Sequence, residues 1–181
     1  VPEEDILEIS QEIIFFNDSN TILEEIYLHN WANSYRDKNG PLTNRFIEDY
    51  NKSLYFAKKE ERGYSEINTL FINNKTVGFK EVRNHPDIIK ISLNKPLSPK
   101  GNVKINVNYN VKLPSSKFTS YGKTKNGYHL RFWYLTPAVH QKDWQLMSNL
   151  NIDDLHEYPT DFEIKINLPN KYSLESNLYK Y

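Results

Sequence analysis

Histidines and clustered carboxylates are the side chains of this sequence that could do chemistry. The five histidines are His29, His85, His129, His140 and His156. No two stand four residues apart, the spacing that sets two imidazoles on one helical face, so there is no His-Glu-x-x-His zinc signature. The run "DDLHE" gathers Asp153, Asp154, His156 and Glu157 within five residues. Such a run can hold a cation in a loop, but its ordinary role is a solvated acidic turn. The absence of cysteine excludes disulfides and thiolate-ligated metals. Only six glycines are present, and no Gly-x-Ser-x-Gly elbow or phosphate-cradling loop can be found. The carboxylate pairs Glu60–Glu61 and Asp153–Asp154 are adjacent in sequence and do not face each other across a substrate. We assign no catalytic residue and no metal ligand to this chain.

Binding is better represented. Phe132, Trp133 and Tyr134, with Trp144 further on, form the best candidate surface, because aromatic faces stack on sugars, peptides and bases. Strand alternation predicts Phe132 and Tyr134 on one face and Trp133 on the other. The ordinary role of such rings in a β-protein is to fill the core. The polar series Lys104, Asn106, Asn108 and Asn110 reads as the wet face of a sheet rather than a site. Three Asn-x-Ser/Thr acceptor patterns, at Asn17, Asn51 and Asn74, are expected by chance in a chain this rich in asparagine.

The elements that must position these residues are mostly strands. The clearest is "NVKINVNYNVKL", in which Val103, Ile105, Val107, Tyr109, Val111 and Leu113 alternate without fault against Asn and Lys. Fully extended, residues 102–113 span about 40 Å. That pattern requires a long antiparallel strand with one covered and one wet face. Residues 5–16 and 21–31 read as two strands around the turn "NDSN", paired as a hairpin or meander. Residues 65–74 and 77–84 read as a second hairpin, 87–94 as a further strand, and Asn126-Gly127 as the turn between two more. "HLRFWYL" reads as the most aromatic strand. "TDFEIKINLP" reads as another, with Phe162, Ile164, Ile166 and Leu168 alternating against polar residues and expecting neighbours on both sides. One segment changes period. Phe46, Ile47, Tyr50, Leu54 and Ala57 recur every three to four residues, which predicts an amphipathic helix over about 43–62, capped by Thr43 and ended by Gly63.

The expected fold is therefore mainly β: a large curved antiparallel sheet, or a β-sandwich-like saddle domain, with one amphipathic helix. At 181 residues the chain makes one domain, 1–181. Basic and acidic residues balance at 23 each, so nothing in the charge favours nucleic acid. No apolar run has the length of a membrane span. The acidic start "VPEEDILEIS" lacks the order of a signal peptide and reads as the middle of a strand, so residues upstream of it are expected.

Two stretches resemble a known family. "EIIFFNDSNTILEEIYLHNW" is similar to the early hairpin of aminopeptidase N-like zinc metallopeptidases, the gluzincins. The stretch from "FWYLTPAVHQKDW" to "DFEIKINLPNKYSLESN" resembles the end of the same N-terminal domain. It is matched at Trp133, Tyr134, Pro137, Trp144, Asp161, Phe162, Ile164, Ile166, Pro169, Tyr172, Ser176 and Asn177. The middle, with "AKKEERG", looks like a subgroup associated with Bacteroidetes. The resemblance implies a non-catalytic, saddle-shaped β-domain that precedes a thermolysin-like catalytic domain, packs on it and walls the peptide-substrate cleft. Its zinc, and the helix bearing two His and two Glu, would belong to that absent domain, and no cofactor to this chain. The implied partners are the catalytic domain of the same polypeptide and a peptide substrate. Trp133, Tyr134 and Trp144 are the substrate-cleft candidates. Where many relatives place a Gln or Glu that anchors the substrate's free amino group, this chain reads "WYLTP", a departure that points to an endopeptidase-like or degenerate relative. The alternative reading is a stand-alone β-domain binding carbohydrate or protein through surface aromatics. The family spans cytoplasmic, periplasmic and membrane-associated members, so the compartment is left open.

Overall fold

The computed structural model describes residues 4–152 and 155–176. Seven strands form its body: β1 Ile6–Phe16, β2 Leu23–His29, β3 Tyr64–Ile72, β4 Lys75–Thr76, β5 Phe79–Val82, β6 His85–Leu97 and β7 Asn102–Lys112. Five two-residue strands follow: β8 Gly122–Lys123, β9 Tyr128–His129, β10 Thr136–Pro137, β11 Val139–His140 and β12 Trp144–Gln145. The protein is mainly β, built from antiparallel sheets with a single α-helix among the described residues, in line with the expected class.

β7 follows its sequence pattern residue by residue. Val103, Ile105, Val107, Tyr109 and Val111 are buried, and the residues between them are exposed or half-buried. The strand lies at the centre of a four-stranded sheet of order β1-β7-β3-β4. On its wet face Asn106 donates to Glu12, Asn108 donates to Thr69 and Lys104 pairs with Glu12. The second sheet runs β10-β2-β6-β5 and supplies Leu23, Ile26, Leu28, Ile89, Ile91 and Leu97. Both sets of side chains belong to one hydrophobic cluster, so the two sheets share a core, as in a sandwich.

The expected hairpins are redistributed between these sheets. β1 pairs with β7, whereas β2 pairs with β6, so the turn at 17–20 carries the chain from one sheet to the other rather than closing a hairpin. Asn17 anchors that crossing. Its buried side-chain amide donates to the carbonyls of Thr21 and Leu97, and its oxygen accepts from Ser19. Burial this complete removes Asn17 from glycosylation. Similarly, β3 turns back only as β4, and β5 crosses to pair with β6. Alternation tells which face of a strand is covered but not which strand lies beside it. The Asn126-Gly127 hairpin does form, between β8 and β9, over a four-residue loop tied by the Thr124 hydroxyl. It can close on the sheet because Gly122 has φ +113° and a Cβ there would sit 2.0 Å from the Pro114 carbonyl oxygen.

The helix α1 spans Pro41–Glu48, well short of the expected 43–62. Gly40 is its N-cap and Pro41 its first residue, while the Thr43 hydroxyl donates to the Asp37 carbonyl from within the first turn. The chain leaves the helix at Tyr50, in left-handed conformation with φ +58°. There the Tyr50 and Asn51 amides donate back to the Ile47 and Phe46 carbonyls, the pairing of a Schellman ending. The periodic pattern persisted in sequence because Leu54 is still buried, delivered by a turn instead of a helix. Gly63 follows a separate 3-10 turn, Lys59–Glu61.

Two further predicted strands are absent. "HLRFWYL" is broken because Phe132 has φ +50°, which ends the alternation. Residues 161–168 belong to no strand, and Phe162, Ile166 and Leu168 are exposed.

Tyr50 is 96% exposed, so its side chain contributes little packing to offset its strained backbone. Tyr50→Gly is expected to raise stability by about 0.5–1 kcal/mol in urea unfolding. A loss of stability would show that the Schellman ending is not strained.

Candidate functional site

The segment after β9 carries the aromatic candidates, and the structure divides them into two groups. The Trp144 ring packs against Phe15 (centroids 6.1 Å apart), Tyr27 (5.4 Å) and, edge-on, His140 (4.9 Å). Tyr158 closes this group, edge-on to Phe15 and hydrogen-bonded through its hydroxyl to the His140 backbone. Trp133 and Tyr134 lie edge-to-face at 5.5 Å, and Tyr134 also meets Phe162 at 5.0 Å. No ring contact links the two groups among the described residues, and all three candidates are half-buried. Phe132 does not share a face with Tyr134 as expected. Its positive φ turns the ring edge-on to Trp31, at 5.3 Å.

A polar clamp holds residues 139–151 against the second sheet. The Trp31 indole donates to the Met147 carbonyl at 2.7 Å, and the Met147 amide donates to His29 Nε2 at 3.2 Å. The two rings are stacked, 4.7 Å apart and 13° from parallel. One turn of chain further on, the buried Asp87 accepts from the Ser148 hydroxyl (2.8 Å) and the Asn149 amide (2.7 Å). His85 Nδ1 lies 2.7 Å from the Ser148 oxygen, and the Asn149 side chain donates to Ser34.

Asp87, Ser148 and His85 are residue types that perform acyl transfer, but their order is wrong for it. A serine nucleophile must direct its proton to the imidazole, with the carboxylate behind the histidine. Here the serine lies between the two, and its hydroxyl donates to Asp87. Burial raises the Asp87 carboxyl above the usual range, against the opposing effect of the Asn149 amide and the Ser148 hydroxyl. The arrangement is a buried, satisfied polar chain that fixes a loop.

His29 carries the opposite shift. Burial pushes its imidazole down to about 4, against a smaller pull from the Gln145 backbone, and its Nδ1 has no hydrogen-bond partner among the described residues. Near the other aromatic group, Glu157 is half-buried and its carboxyl is raised by burial, with Thr136 opposing. Burial, and then the charge of Glu157, raise the Tyr134 hydroxyl.

Among the described residues no group of three His, Asp or Glu could hold a metal. Asp153 and Asp154 of the "DDLHE" run lie outside the described residues. Nor is any described helix long and apolar enough to cross a membrane. A shallow groove lies elsewhere, between Arg36–Lys38 and the turn from Tyr55 to Arg62, with a volume of about 630 Å³. Sequence patterning passed over it because "KKEER" read as the solvated face of a longer helix. No family model matches the chain, and neither a curated protein nor a solved structure matches it.

The His29 shift has a definite sign. Its folded value lies below the unfolded 6.5, so the stability of the clamp is complete above pH 6.5 and is lost as pH falls toward 4. Between pH 7.5 and pH 5 the wild type should lose about 2 kcal/mol more than His29→Gln in urea unfolding. The raised Asp87 carboxyl acts in the opposite sense but contributes to both proteins, so the difference isolates His29. Parallel pH profiles would contradict the account.

Proposed function

We propose that this chain is the non-catalytic N-terminal β-domain of an aminopeptidase N-like zinc metallopeptidase, which packs on a catalytic domain and walls its peptide cleft. Three things support the reading. The family's motifs occur in order along the sequence, at both ends of the chain. The mainly antiparallel β architecture suits the expected domain. The observation that carries most weight is the stretch 161–168. It alternates like a strand, yet it is paired in no sheet and leaves Phe162, Ile166 and Leu168 exposed. An exposed stretch that alternates like a strand, with an apolar face, suits a neighbour that pairs its backbone and covers its side chains. In this reading the neighbour is the catalytic domain, which also carries the zinc.

Trp133 and Tyr134 then act as cleft-wall residues beside Phe162, while Trp144 supports the loop from within. The "WYLTP" segment presents no amide or carboxylate to a substrate amino group, which favours an endopeptidase-like parent over an aminopeptidase. The carbohydrate-binding alternative requires open aromatic platforms. The half-buried state of Trp133, Tyr134 and Trp144, each packed against other rings, gives it less support.

With zinc added, the re-purified chain should release no product from aminoacyl or peptide substrates. The coding sequence beyond Tyr181 should specify His-Glu-x-x-His within roughly 150 residues, with a Glu on the next helix. Phe162→Asp with Ile166→Asp should weaken association with that domain at least about tenfold while leaving the melting temperature of this chain unchanged. Turnover that survives re-purification, or a downstream sequence without the motif, contradicts the proposal.

A further inference from the structure

The groove between Arg36–Lys38 and Tyr55–Arg62 combines unpaired cations with exposed rings. Arg62 forms its floor. Its Nη2 donates to the carbonyls of Leu54 (2.5 Å) and Tyr55 (3.2 Å), while its Nη1 is buried and has no partner among the described residues. Burial lowers the pKa of this guanidinium, opposed by the attraction of Asp37. No carboxylate stands within ion-pairing distance of Arg62, Lys38 or Lys59 among the described residues. The contrast with nearby cations is plain. Arg36 is held bidentately by Glu81, at 2.7 and 2.9 Å, and Lys117 is paired with Glu61. Asp37, the one acidic residue in the lining, uses its carboxylate to accept the Asn39 amide.

Beside these cations lie two rings. Tyr55 and Phe56 are edge-to-face at 5.1 Å, Lys38 Nζ stands 5.9 Å from the Tyr55 ring centre, and Phe56 is 72% exposed. The partly buried guanidinium places a positive charge beside the groove that no carboxylate pairs among the described residues, and a carboxylate brought into the groove is attracted to it. An exposed phenyl ring alongside gains from apolar contact. The volume, about 630 Å³, suits a short side-chain-bearing segment rather than a single ion.

We propose that this groove binds an acidic peptide segment with an aromatic residue, its carboxylates meeting Arg62, Lys59 and Lys38 and its ring packing on Phe56. The charge balance favours peptide over nucleic acid. With 23 basic and 23 acidic residues, the protein has no broad positive field to draw in a polyphosphate chain. Lys38, Lys59 and Arg62 converge on one concavity, which matches a few carboxylates at close range. The inference does not depend on the metallopeptidase reading.

The probe is a fluorescein-labelled peptide, Glu-Asp-Glu-Phe-Glu-Asp, blocked at both ends and followed by fluorescence anisotropy at low salt. The wild type should bind it saturably with a Kd below about 100 µM. The exposed double change Lys38→Glu with Lys59→Glu should weaken binding at least about tenfold, and Phe56→Ala about threefold. Lys125→Glu, on the tip of the β8–β9 loop, should leave it unchanged. Arg62→Gln tests the floor directly, and the surface lysine variants keep the test decisive if that variant fails to fold. Absence of saturable binding, equal binding by the lysine double variant, or tighter binding of a single-stranded oligonucleotide of equal length would overturn the proposal.

Discussion

The side-chain amide of Gln11 ties the irregular C-terminal third of the described chain to the sandwich. Gln11 sits in register among Ile9, Ile13 and Phe15 on the inner side of β1, where the pattern otherwise places apolar residues. Its oxygen accepts from the Tyr109 hydroxyl at 2.6 Å and from the Leu135 amide at 3.0 Å, and its nitrogen donates to the Leu135 carbonyl at 2.7 Å. Three polar groups in a nearly closed core are thereby satisfied by one residue. Leu135, almost fully buried, is fixed just before β10 joins the second sheet. A buried polar group left without a partner costs about 1–3 kcal/mol, so this junction specifies one path for the chain where apolar packing alone would permit several.

The same principle recurs around the second sheet. Beyond residue 113 the longest strand among the described residues has two residues, so sheet hydrogen bonds contribute little to holding this part of the chain. Side chains from the first half of the chain do it instead. Trp31 and His29 hold Met147, Asp87 holds Ser148 and Asn149, and Asp5 receives Lys112, Lys123 and the Tyr128 hydroxyl at the base of the β8–β9 hairpin. The aromatic residues then fill the spaces between these ties. The rings named from the sequence are half-buried, each packed against another ring. The stretch 161–168 and Phe56 beside the groove, by contrast, leave apolar side chains exposed.

How much of this was legible follows from what a pattern reports. The alternation of β7 dictated its length and its buried face, because a period of two sends successive side chains to opposite faces. The existence of β1, β2, β3 and β6 was legible for the same reason, although β6 runs on through Leu97, past the expected end at 94. Their partners were not, since a strand such as β2 alternates identically beside β1 or beside β6. The helix was overextended because Leu54 buries at helical spacing from a turn. Phe132 was misplaced because nothing in "LRFWYL" signals a positive φ at a bulky residue. The clamp was invisible because its members are far apart in sequence. Trp31 and Met147 are 116 residues apart, and Asp87 and Ser148 are 61. Trp133, Tyr134 and Trp144 stand close in sequence, but their division into two groups depends on the kinked path between β9 and β12.

The most direct test of this account is a double-mutant cycle on Gln11 and Tyr109, read by urea unfolding and by hydrogen exchange at the Leu135 amide. Gln11→Ala alone should lower stability by about 2–4 kcal/mol and expose that amide to rapid exchange. Combined with Tyr109→Phe, the losses should couple by about 1 kcal/mol or more, since both remove the same hydrogen bond. Additive losses, with the Leu135 amide still protected in the Gln11 variant, would show that apolar packing alone positions the C-terminal segment.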